Sequence, residues 1–221
     1  MHRFFCIIRF QKRGFMDSYQ TVKKEALDEY IVKKSRFIGH IKPVTTQEEA
    51  LAFISEVSKK HWDATHNVYA YILREGGVKR FSDDGEPQGT AGIPVLDVLE
   101  KSGLTDCAVV VTRYFGGIML GAGGLVRAYS HSASIAVTAG EIITRALCAR
   151  MKITADYTFY GKLSSLIPEA GGIIEDTQFE DNVTLTFRLP LKDVDSFGAK
   201  LTDASNGRYT AEKTDEFFDE I

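Results

Sequence analysis

Three acidic side chains, Asp83, Asp84 and Glu86, fall within four residues of one another in the stretch FSDDGEPQGTAG, which also carries three glycines and a proline. That composition forbids a regular element, so the acids stand on a loop. Like charges this close repel unless a cation or an arginine sits among them. Two chemistries suit the arrangement: carboxylate oxygens can hold a hard divalent cation such as Mg²⁺, and a carboxylate can act as a general base. A third reading involves no reaction, only a loop docked by hydrogen bonds to Arg113. His66, just ahead of the run NVYAYIL, is the histidine best placed to join a catalytic set, against the plainer reading of a structural histidine with its bonds satisfied. His40, His61 and His131 show no metal-ligand spacing.

The segment RYFGGIMLGAGGLVRAYS offers different chemistry. Gly116, Gly117, Gly121, Gly123 and Gly124 expose backbone N–H groups ahead of a helix-competent stretch, where the helix dipole favours an anion. Arg113 and Arg127 flank them, so a phosphate or carboxylate could be held there. The competing reading is that the glycines only permit tight turns and close helix–sheet approach. Gly121-Ala122-Gly123 begins like a dinucleotide fingerprint, but Val126 stands where the third glycine belongs. G-x-S-x-G, H-E-x-x-H, the phosphate-binding P-loop and the EF-hand loop are absent. Apart from a divalent cation at Asp83, Asp84 and Glu86, no cofactor is expected. Cys6, Cys107 and Cys148 are odd in number and widely spaced, which suits a reducing compartment, and Cys107 opens the apolar run CAVVV as a small hydrophobe.

The elements that must position these residues follow from pattern. Tyr30 to Val32 and Arg36 to Ile38 are strand material broken by Lys33-Lys34. Thr46 with Glu49 forms a capping box ahead of Ala50, Leu51, Ile54 and Val57, predicting a helix over residues 46–61. Residues 67–73 form a strand closed by Gly76-Gly77, residues 94–99 a helix, residues 108–112 a buried strand, and residues 125–139 a helix with small faces. Trp62 and Tyr69 are expected in the core. From Met151 the order is strand 152–159, a helix carrying Leu163, Leu166, Ile167 and Ala170, strand 173–179, strand 183–189, a helix carrying Val194, Phe197 and Leu201, and strand 208–213. This βαββαβ order is that of a ferredoxin-like sandwich.

The 221 residues suit two compact cores, with 44% hydrophobic and 26% charged residues as in an ordinary globular protein. No apolar run approaches the roughly 18 to 20 residues that cross a bilayer, so no membrane role is expected. Residues 1–15 carry four basic side chains and no acid, whereas residues 151–221 hold 7 basic against 14 acidic side chains. Such an acidic C-terminal part repels phosphate backbones, so nucleic acid would meet a patch on the first domain. The basic, apolar residues 1–15 make a poor signal peptide and are expected to be a disordered extension ahead of a start at Met16. The expected domains are 16–140 and 151–221, joined by a linker over 141–150.

The segments ATHNVYAYIL, FSDDGEPQGTAGIPVLDVLE and VVVTRYFGGIMLGAGGLVRAYS closely resemble the signature stretches of the YigZ/IMPACT family, and the layout from residue 18 onward is similar to its bacterial YigZ-type members. The resemblance implies an α+β chain whose N-terminal IMPACT domain has the ribosomal protein S5 domain 2-like fold, akin to the fourth domain of elongation factor G, and whose C-terminal domain is ferredoxin-like. It implies a part in translation. The eukaryotic relatives restrain a translation-initiation-factor kinase by competing for its activator, and the bacterial ones are thought to bind RNA or the ribosome. The leading expectation is a cytoplasmic, non-enzymatic regulator of translation. It binds RNA, the ribosome or a translation-associated protein, with no DNA expected, through Lys33, Lys34, Arg36, Lys79, Arg80, Arg113 and Arg127. The rival is a small hydrolase or phosphoryl-handling enzyme using Asp83, Asp84 and Glu86 with Arg113 and the glycines.

Overall fold

The computed structural model describes residues 18–221; the expected extension over 1–15, the start at Met16 and Cys6 lie outside the described residues. Two compact units are present, one built on residues 19–145 with 220 and 221, the other on residue 18 and residues 146–219. Along the first run β1 (Ser18–Val22), β2 (Ala26–Val32), β3 (Ser35–Pro43), α1 (Gln47–Lys60), β4 (His66–Leu73), β5 (Val78–Ser82), α2 (Gly92–Lys101), β6 (Cys107–Tyr114) and α3 (Ala122–Gly140). β7 (Ile142–Ala155) runs on into the second unit, followed by α4 (Tyr157–Glu169), β8 (Ile173–Phe179), β9 (Val183–Pro190), α5 (Val194–Ser205) and β10 (Glu212–Glu220). The protein is therefore mixed α+β. Among the described residues no helix is long and apolar enough to cross a membrane.

In the first unit a sheet of order β2-β3-β6-β4-β5 carries helices on both faces. β6 shows why the CAVVV run is apolar throughout: Ala108 and Val110 pack with Phe53 and Val57 of α1, while Val109 and Val111 pack with Leu99 of α2 and Tyr129 of α3. A strand whose side chains alternate faces must be apolar at every position when both faces are covered. α3 presses close to the sheet through its small residues, and a Cβ on Gly39 of β3 would run into the backbone of Ser132. The β2–β3 turn is made by Lys33 and Lys34, both at positive φ (45° and 65°), as a two-residue hairpin requires.

The second unit pairs β7 with β9 and β10, and β9 with β8. β9 alternates buried and half-buried residues, and its Val183, Leu185, Phe187 and Leu189 face Leu163 and Ile167 of α4 and Phe197 and Leu201 of α5. One face of this sheet is covered by helices.

The connection expected over 141–150 is made by β7, and the division between the two units falls within it, after Arg145. Several expectations are corrected. The strand over 152–159 ends at Ala155: Asp156 caps α4 by accepting from Phe159 N at 2.9 Å, which turns Tyr157 to Phe159 into helix. The last strand lies over β10 rather than 208–213. The capping box is present, with Thr46 Oγ1 accepting from Glu49 N at 3.2 Å and the Glu49 carboxylate turned back onto the Thr46 backbone and, more strongly, onto the backbone N–H and hydroxyl of Thr45. Trp62 is 83% exposed, in the turn beyond the point where the buried stripe of α1 ends.

Candidate functional site

The acidic loop spans residues 83–91, and each of its carboxylates has its own protein partner. Asp83 accepts from the backbone N–H groups of Gly89 at 2.9 Å, Ala91 at 3.2 Å and Gly92 at 2.7 Å, so it folds the loop and caps α2 in one stroke. Asp84, at φ 46°, accepts from Asn67 N through Oδ2 at 2.6 Å, and its backbone oxygen accepts from His66 Nδ1 at 2.7 Å. Glu86 is 8% exposed; its Oε1 pairs with Arg113 Nη1 and accepts from the Tyr129 hydroxyl at 2.8 Å. His66 Nε2 lies 3.9 Å from the same oxygen.

The consequence is a buried polar knot joining β4, β6, α3 and the loop. Arg113 is only 5% exposed and sits 5.4 Å from the Phe37 ring centre and 5.3 Å from that of Phe115. Burial, then the neighbouring Glu86 charge and hydrogen bond, push the Tyr129 hydroxyl far above the usual tyrosine range, so it stays a donor. Arg113, expected as an anion contact, is turned inward with its charge paired to Glu86. The carboxylates of Asp83, Asp84 and Glu86 do not converge, and among the described residues no group of three or more His, Cys, Asp or Glu side chains is placed to hold a metal ion. His66 commits its Nδ1–H to the Asp84 carbonyl oxygen and turns its Nε2 towards Glu86. Sequence reasoning missed Tyr129 and Asn67; a lone tyrosine on the small-residue face of α3 was the available signal for the first.

Residues 115–121 behave differently. Gly116 is a packing glycine, since a Cβ there would run into the backbone of Lys34 and Ser35, and its N–H donates to Ser35 Oγ at 3.2 Å. Gly117 (φ 83°) and Gly121 (φ 70°) need positive φ yet have open space where a side chain would stand. Gly121 stands at the N-cap of α3, which has no side-chain cap and no acid in its first turn. A cavity of about 110 Å³ opens beside that turn, lined by Tyr30, Val32, Lys33, Leu120, Gly124, Arg127 and Ala128.

Of the seven cations proposed as phosphate contacts, Arg36 pairs with Glu29, Lys79 with Glu100 and Arg113 with Glu86, while Arg80 donates to the Lys79 carbonyl oxygen. Lys33, Lys34 and Arg127 form no ion pair among the described residues, and these three border the glycine surface. The two glycine-rich segments thus meet through Glu86 and Arg113, the acidic one turned inward and the basic-flanked one open.

The Impact N-terminal domain family matches residues 33–137, and a domain of unknown function, DUF1949, matches residues 153–208. The IMPACT family member YvyE of Bacillus subtilis is 42% identical over 194 residues, covering 87% of this chain and 89% of that protein. The chain belongs to the IMPACT family. Another IMPACT relative, YigZ of Escherichia coli, is 36% identical over 179 residues, with 80% of this chain and 88% of that one covered. A solved structure titled as that of a hypothetical protein is 32% identical, with a TM-score of 0.59 over 91% of this chain and 99% of the other. The acidic loop, the buried knot, Lys33, Lys34 and residues 115–127 all fall within the Impact N-terminal match.

His40 and His61 stand with ring centres 5.1 Å apart, and the Nε2 of each is buried without a hydrogen-bond partner among the described residues. Burial, with the charges of His61 and Lys60 adding, lowers His40 to about 4. Cys107, as expected, is buried, which pushes its thiol up to about 12 and leaves it unreactive.

Proposed function

We propose that this protein is a non-enzymatic regulator of translation whose first unit binds RNA, free or in the ribosome, through the glycine surface at the start of α3. The observation that carries the reading is that Lys33, Lys34 and Arg127 keep their charges unpaired around a helix start with no cap of its own. Arginine can grip a phosphate with two hydrogen bonds, lysine acts as a point charge, and free backbone N–H groups complete an anion seat. Nearby acids would repel phosphates, but those of residues 83–91 are bonded inward. The acidic composition of residues 151–221 supports contact through the first unit. Translation sets this activity in the cytoplasm.

The finer fold assignments belong to the same reading. The order β10-β7-β9-β8 with α4 and α5 on one face supports a ferredoxin-like sandwich, and the IMPACT domain supports the ribosomal protein S5 domain 2-like assignment. The test is binding of the purified protein to ribosomes and to RNA across a salt series. Affinity should fall as salt rises, and neutralising Lys33, Lys34 and Arg127 together should flatten the dependence by about 0.7 to 0.9 in log–log slope for each phosphate left without its cation. Absence of salt-dependent binding to either would overturn the RNA reading and turn the search to a translation-associated protein.

A further inference from the structure

The cations explain how the glycine surface would hold phosphates; they do not explain the apolar groups beside them. Phe115 is 47% exposed, Ile118 42% and Met119 84%, on a stretch bordered by Lys34 at one end and Arg127 at the other. Phe115 is not on a slack loop. Its N–H donates to Thr65 Oγ1 at 3.0 Å, the preceding residue ends β6, and the following glycine is pressed against the Lys34 backbone. Beside its ring the buried Arg113 guanidinium lies 5.3 Å from the ring centre, itself fixed by Glu86. A fixed ring held against an immobile cation is preorganised to accept a flat π system on its open side.

A duplex stacks its bases on one another, whereas a single strand offers base faces to aromatic side chains together with a phosphate chain for nearby cations. We infer that the surface takes single-stranded RNA, with phosphates along Lys33, Lys34 and Arg127 and an unpaired base stacked on Phe115, flanked by Met119. This rests on the RNA reading above and adds the strand state and the stacking residue. A protein partner would also cover apolar side chains, but three cations without acid partners favour a polyanion.

Fluorescence anisotropy with the full chain can test this, using an unstructured oligouridine of about 12 nucleotides and a blunt RNA duplex of matched charge. The single strand should bind more tightly. Phe115→Leu should weaken it by about tenfold, leaving duplex affinity, the salt slope and the circular-dichroism melting curve close to wild type, while Phe115→Trp should retain binding. Equal affinity for duplex and single strand, or an unchanged single-strand affinity in a folded Phe115→Leu protein, would overturn the stacking inference and leave the RNA reading standing. Failure of both RNAs to bind would overturn the single-strand inference, and failure of ribosomes to bind as well would overturn the RNA reading with it.

Discussion

Residues 83–91 and residues 115–121 are both glycine-bearing connections that the sheet brings to the Arg113 end of β6, yet their polar groups face opposite ways. In the first, three carboxylates are bonded to backbone N–H groups, to Arg113 and to Tyr129. Around the second, two lysines and an arginine keep their charges in water, and three glycines have little or nothing where a Cβ would go. Charge density in a loop is thus a poor guide to where a ligand binds. The acidic loop holds the fold together, and by taking the charge of Arg113 it leaves the neighbouring surface to Lys33, Lys34 and Arg127.

The largest expected effect breaks the inward half of this comparison. Arg113→Ala strands Glu86 in the interior, and removing one partner of a buried ion pair costs about 3 to 5 kcal/mol. Urea denaturation should show that loss. Replacing Glu86 and Arg113 together with apolar residues, with Tyr129→Phe so that no hydroxyl is left unpaired, should recover most of it. A cost below about 1 kcal/mol for Arg113→Ala would show that the pair behaves as a surface ion pair.

His40 sharpens the contrast, being buried and polar like the acidic loop but without a partner at Nε2. The unfolded chain takes up a proton near pH ~6.5, while the folded chain resists until about 4, so stability is full above the first value and drains as pH falls towards the second. The interval corresponds to about 3 kcal/mol at most. His40→Gln should therefore flatten the denaturation midpoint between neutral and acidic buffers relative to wild type. An unchanged slope would place the acid sensitivity elsewhere.

Two adjacent glycines separate packing from openness within the second loop. Gly116→Ala drives a methyl group into the Lys34 and Ser35 backbone, which cannot swing aside as a side chain can, and should cost about 2 to 3 kcal/mol. Gly117→Ala meets no atom and loses only what a left-handed backbone costs an L residue, about 1 kcal/mol. Equal losses in thermal melts would refute the difference in surroundings.

Parts of this arrangement are legible in the residue pattern and parts are not. Thr46, the apolar CAVVV run and the Lys33-Lys34 break mark their elements because each signal is local: a cap, a doubly covered strand, a two-residue turn. The pairing of the acidic loop with Arg113 follows from charge alone as one alternative among three. β10 escapes the pattern because EKTDEFFDE, a strand with no fully buried position, shows no apolar alternation. Asp156 is hidden as a cap because the apolar residues around it continue a strand pattern. The fate of the cations cannot be read at all, since whether Arg36 or Lys33 is paired depends on cross-strand register: Arg36 reaches Glu29 across the β2–β3 hairpin, while Lys33 sits at its tip, beyond the paired rungs.

That last distinction gives the smallest expected effect on stability and the sharpest on the open surface. Lys33→Ala, Lys34→Ala and Arg127→Ala remove charges that pair with no acid among the described residues and leave a Cβ where one already stands, so each should change unfolding free energy by no more than about 0.5 kcal/mol. Lys33→Gly and Lys34→Gly keep the turn geometry and isolate the charge. Arg36→Ala is the matched control: it removes an equal charge from the same hairpin, but one already neutralised by Glu29. If salt-dependent RNA binding weakened as much in Arg36→Ala as in Lys33→Gly, the partition between paired and open cations would not be what selects the surface, and the contrast between the two loops would lose its functional meaning.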